Sequence, residues 1–135
     1  MRIRSFRVPF SQILDDESHE LEFGPDDYLV VRPVFALSAE ALQAIQERMA
    51  AIGEAAASDD PDKVKQAERL SDKLYEDVVK ATVLEWRLAD ENGVSIDKPA
   101  TRAALRKLPG PLAGGLYNFL ITYRGDDGPN PTTRS

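Results

Sequence analysis

The chain has 135 residues, 42% of them hydrophobic and 30% charged, which suits one ordinary domain with a modest core. Its formal net charge is −6 and it has no cysteine, which excludes disulfide frameworks, thiolate nucleophiles and cysteine zinc sites and argues against nucleic-acid binding, whose usual footprint is basic. No stretch approaches the roughly 18 apolar residues of a membrane span, and Arg2, Arg4 and Arg7 precede no signal-peptide run.

In the first third, Phe6, Val8 and Phe10 alternate with Arg7 and Pro9, and Leu21 and Phe23 alternate with Glu20 and Glu22. Both patterns predict strands, joined by a turn through Asp15, Asp16, Glu17 and Ser18. After a second turn at Gly24, Pro25, Asp26 and Asp27, residues 28–35 read as a third strand, with Pro33 forcing an edge or a break. The rest reads as helical. Ser38 is an N-cap for a helix with Leu42, Ile45, Met49 and Ile52 on one stripe. Asp60 followed by Pro61 starts a second, whose stripe is Val64, Ala67, Leu70, Leu74 and Val78. The two should form an antiparallel hairpin.

Leu84, Trp86 and Leu88 alternate with Glu85 and Arg87 at a strand-like period, with a helix end as the other reading, before a turn at Asp90, Glu91, Asn92 and Gly93. Pro99 and Thr101 announce a short helix carrying Leu105 and Leu108. Pro111 opens a last helix in which Leu112, Leu116, Phe119, Leu120 and Tyr123 share one face, weakened by Gly114 and Gly115. The expected class is α+β: a small N-terminal antiparallel β-meander (1–36), then a mainly α-helical part of about four helices (38–124). Together these make one domain, 1–124, with a flexible polar tail, 125–135.

No constellation points to catalysis. His19, the single histidine, sits in an acidic loop and reads as a surface residue. Asp59, Asp60 and Asp62 read as helix-start charges rather than metal ligands, and Gly110, Gly114 and Gly115 match no phosphate-binding pattern. The expectation is a non-enzyme with no cofactor and no metal. Trp86 is either a core anchor or a binding contact, and the last helix either closes the core or docks on a partner. Trp86, Leu112, Leu116, Phe119, Leu120 and Tyr123 are therefore the candidate partner-binding residues.

One stretch carries a family resemblance. Trp86 in an apolar run, the turn Asp90-Glu91-Asn92-Gly93, the helix start at Pro99 and Thr101, and a leucine-rich end at Leu105, Leu108 and Pro109 resemble the tail assembly chaperones of long-tailed, siphovirus-type bacteriophages and prophages. Phe6, the Leu21/Phe23 pair and Val31-Arg32-Pro33 before a serine-started helix are compatible with that family's opening, whereas the charged helix pair of residues 38–80 has no residue-by-residue match. The resemblance implies a non-catalytic protein of the host-cell cytoplasm, absent from the mature virion. It would bind the tape-measure protein, keep it soluble and recruit tail-tube subunits, with self-association left open. It also implies that this chain would be the short form of a pair whose longer member arises by frameshifting. A minor structural or tail-completion protein of the virion is the alternative. An enzyme using Asp90, Glu91 or His19, and an adaptor unrelated to phage, are further readings.

Overall fold

The computed structural model describes residues 1–14 and 20–125. The sheet begins with β1 (Phe6–Pro9), where Phe6 and Val8 point inward and Arg7 and Pro9 outward, as the alternation predicts. Pro9 leads into a 3₁₀ turn, Phe10–Gln12, that buries Phe10. β2 (Tyr28–Val31) pairs antiparallel with β1, from Phe6 opposite Val31 to Pro9 opposite Tyr28. β2 stops at Val31, short of the expected Phe35. Pro33 has no N–H to donate and instead starts a 3₁₀ turn, Val34–Ala36.

The third strand is β3 (Val83–Arg87), antiparallel on the other side of β2, so the order is β1-β2-β3. The α+β class is therefore as expected, but the sheet is not a purely N-terminal meander. Leu21 and Phe23 form no strand. They are half-buried anchors of an irregular segment packed on the core, with Phe23 stacked on Phe10 at 5.6 Å. The expected turn that joined them to β1 runs through residues 15–18, which lie outside the described residues, as does His19. Most of the expected tail, residues 126–135, lies outside them too.

The helical hairpin follows its start signals closely. In α1 (Ala39–Ala56) the Ser38 hydroxyl accepts from the Ala41 N–H at 3.1 Å. In α2 (Pro61–Thr82) the Asp60 carboxylate accepts from the Asp62 N–H at 3.0 Å, and Pro61 occupies the first turn, where no N–H is needed. The hairpin is unequal. Leu74, Tyr75, Val78, Val79 and Thr82 of α2 are buried, whereas α1 buries only Ile45. Met49 and Val64, both on the expected stripes, remain 42% and 37% exposed.

α2 then passes into β3 without a loop. The Thr82 hydroxyl donates to the Val78 carbonyl at 2.7 Å, and the Thr82 carbonyl accepts from the Arg32 N–H at 2.9 Å. After β3 comes the short α3 (Arg102–Leu105), with the Thr101 hydroxyl accepting from the Ala104 N–H at 3.1 Å. The last helix, α4 (Gly110–Thr122), buries Leu112, Leu116 and Leu120. One continuous core unites these side chains with Phe6, Val8, Phe10, Leu29 and Val31 of the sheet region.

The adjacent glycines of α4 have opposite roles. A Cβ at Gly115 would lie 2.7 Å from the Ile13 carbonyl oxygen, so the helix can approach the segment after β1 only because no side chain intervenes. A Cβ at Gly114 would meet nothing within 4 Å. Gly114→Ala is expected to stabilise the fold by about 1 kcal/mol through helix propensity. Gly115→Ala is expected to destabilise it by about 1–3 kcal/mol through overpacking. Urea denaturation of the two variants checks this, and equal shifts of the midpoint in the same direction would contradict it.

Candidate interaction surface

Residues 83–109 fold back on themselves around Trp86. Its ring is half-buried and meets Phe10 edge-on, with centroids 4.8 Å apart at 79°. Its indole N–H donates to the Ile96 carbonyl at 2.9 Å, and the Ile96 N–H donates to the Leu88 carbonyl at 2.8 Å. Trp86 thus ties the returning chain to β3. Between them the turn is shaped by Asp90, whose carboxylate accepts from the N–H groups of Asn92 (2.8 Å) and Val94 (2.9 Å). Gly93 supplies the left-handed conformation the turn needs, with φ of 79°.

The same segment is pinned to α2. The buried Tyr75 hydroxyl donates to the Pro99 carbonyl at 2.6 Å, and burial pushes the phenol well above its ordinary pKa, so it stays a donor. Arg102 donates to the Ser71 hydroxyl at 3.0 Å and lies 3.6 Å from the Asp72 carboxylate. Leu105 and Leu108 are buried below.

Of the six candidate partner-binding residues, Leu112, Leu116, Leu120 and Tyr123 are buried, at 1%, 1%, 2% and 7% exposure. Tyr123 meets Phe6 edge-on at 5.9 Å and stacks on Phe119 at 4.8 Å. The fold commits this face of α4 to the core it shares with the sheet and α2. Of the six, Trp86 and Phe119 are left half-exposed. Leu84 and Val94, at 48% and 60%, are more exposed apolar residues in the same segment.

Against this segment lies a groove of about 600 Å³, walled on one side by residues 20–24 and on the other by residues 88–91 and Ile96. Its apolar surface comes from Leu21, Phe23, Leu88, Ile96, Pro109 and Leu112. Glu20, Glu22, Asp27, Asp90 and Glu91 line it as well, and no basic residue lines it among the described residues. Individually these acids read as turn and strand residues. Only the fold brings the two acidic segments together.

The basic residues of the N-terminus lie elsewhere. Arg7, on the outer face of β1, covers the Tyr28 ring at 3.8 Å, and Arg4 lies 4.9 Å from the Phe6 ring centre. Asp90, one acid of the enzymatic reading, is engaged by backbone N–H groups, and Glu91 is exposed. Asp60 caps α2. Among the described residues no group of three or more His, Cys, Asp or Glu is placed to hold a metal ion, and no helix is long and apolar enough to cross a membrane. Searches against protein-family models, curated proteins and solved structures gave no match to this chain.

The hairpin that carries the segment is held across its middle by Asp77, which pairs with Arg48 of α1 and, at 3.4 Å, with Lys73. Burial pushes its carboxyl pKa up, but the hydrogen bonds and charges of Arg48 and Lys73 outweigh this and hold it below the ordinary 3.8. A depressed carboxylate stabilises the fold above its unfolded-state pKa, and that contribution is lost as pH falls through the folded value. These side chains are partly exposed and screened by solvent, so Asp77→Asn is expected to cost about 0.5 kcal/mol near neutral pH and less in strong acid, where the carboxylate takes up its proton. Denaturation midpoints under the two conditions check this. A cost that persists undiminished in acid would contradict it.

Proposed function

We propose that the chain is a non-catalytic tail assembly chaperone of a siphovirus-type phage or prophage. In this reading it binds the tape-measure protein in the host cytoplasm, keeps it soluble, recruits tail-tube subunits and is absent from the finished particle. The observation that carries the reading is the build of residues 86–109, the segment that resembles the family. It is braced from behind by Trp86, Tyr75 and Arg102, and it presents an acid-lined apolar groove with exposed Leu84 and Val94 nearby. A braced segment loses little conformational freedom on binding, which favours association through a small apolar contact.

A long, apolar, helical client suits such a surface. It needs many weak contacts repeated along its length rather than one tight interface, and multiplicity supplies the affinity. The net charge of −6 helps keep a complex of many copies in solution.

Co-expression with the tape-measure protein of the same genome tests the proposal. The expected result is a shift of that protein from the insoluble to the soluble fraction, co-purification of the pair, and absence of this chain from purified particles by mass spectrometry. A tape-measure protein that stays insoluble, with no association at about micromolar concentration, would contradict it. Stoichiometric presence in particles would favour a structural tail component instead.

A further inference from the structure

The groove carries a more specific statement about the client. We propose that it receives an apolar segment flanked by lysine or arginine. The inference takes the existence of a protein client from the chaperone reading and adds the chemistry by which the client is recognised.

Two of the five carboxylates are fixed in place. Asp27 accepts from the Gly24 N–H at 2.8 Å and from the Ala89 N–H at 3.3 Å, bridging the two walls. Asp90 is held by the Asn92 and Val94 N–H groups. Their charges cannot swing away from the groove without undoing both turns. Glu20, Glu22 and Glu91 are exposed and make no ion pair among the described residues, so they can follow an incoming cation.

Like charges gathered at one site repel, and the fold holds them together although no basic residue lines the groove among the described residues. Arg87 and Lys98 line an adjoining depression, which shares Asp27, Leu88, Ala89 and Ile96 with the groove. Arg2 and Arg4 sit beyond the opposite end of the sheet. The groove adjoins the Tyr28 end of β2, whereas β1 begins at Phe6, opposite Val31. The arm before Phe6 runs away from the groove, so the chain's own arm cannot fill it while β1 stays paired.

The apolar floor and the acidic rim therefore ask for one kind of occupant. An apolar side chain would cover Leu21, Phe23 and Ile96, and cations on either side would meet the rim. A polyanion, or an apolar segment flanked by acids, is repelled.

Two short synthetic peptides test this on the full chain. They share one apolar sequence and differ only in flanking lysines or flanking glutamates. Amide NMR shifts are followed during titration. The lysine peptide is expected to shift amides of residues 20–24, 88–91 and 96. Its affinity should fall about tenfold or more as salt rises from low to near-molar. The glutamate peptide should shift none of them. Glu22→Lys combined with Glu91→Lys should weaken the lysine peptide about tenfold while leaving the melting temperature unchanged. Equal shifts from both peptides, shifts confined to other surfaces, or an unchanged affinity in the charge-reversed variant would overturn the proposal. So would concentration-dependent shifts of the same amides without peptide, which would mean that a second copy fills the groove. Co-purification with the tape-measure protein alongside failed peptide binding removes the groove and leaves the chaperone reading. The reverse pattern removes the chaperone reading and keeps the groove's preference.

Discussion

The passage of α2 directly into β3 at Thr82 and Val83 is the constraint on which the rest of the fold depends. With no loop between them, the helix axis and the sheet cannot reorient independently. Thr82 is fully buried, and its hydroxyl and carbonyl are satisfied there, the hydroxyl by the Val78 carbonyl and the carbonyl by the Arg32 N–H. A buried threonine without those partners would be costly, so the two hydrogen bonds favour this junction geometry. The sheet adapts to it. Val30 faces Glu85 while Val31 faces Val83, so Leu84 is an extra residue in β3. The irregularity turns Leu84 toward solvent and gives its inward place to Val83.

That bulge explains much of what sequence reasoning could and could not reach. The alternation of Leu84, Trp86 and Leu88 correctly marked a strand, but a period of two places Leu84 on the same face as Trp86. One extra residue breaks that relation. Helix starts were legible because their determinants are local: Ser38 for α1, and Asp60 with Pro61 for α2. The partner of β2 was not legible on its other edge, because the choice between Leu21/Phe23 and residues 83–87 is made by non-local pairing. Two apolar residues among acids fit an irregular segment with two anchors as well as a strand. Gly115 was misjudged for a related reason. Helix propensity counts it as a weakness, while the nearby Ile13 carbonyl makes it a requirement.

The candidate surface was half legible. Trp86 has a bracing role, its ring packed on Phe10 and its N–H holding Ile96, and it keeps part of its surface exposed. The α4 face is apolar for the ordinary reason that it closes a core. The groove could not be read in advance, since each acidic cluster alone resembles a solvated turn. Asp27 accepts N–H groups from both walls and thereby keeps the two acidic segments side by side. The groove is thus a product of the same bracing that orders residues 86–109.

Hydrogen–deuterium exchange of the chain, alone and with the tape-measure protein, tests the central claim that it works by binding a client through this braced segment. The account predicts added protection in residues 20–24 and 88–96, with the core amides of α2 and α4 unchanged. Protection confined to other surfaces, or exchange in α4 that rises as the helix leaves the core to meet the client, would contradict it.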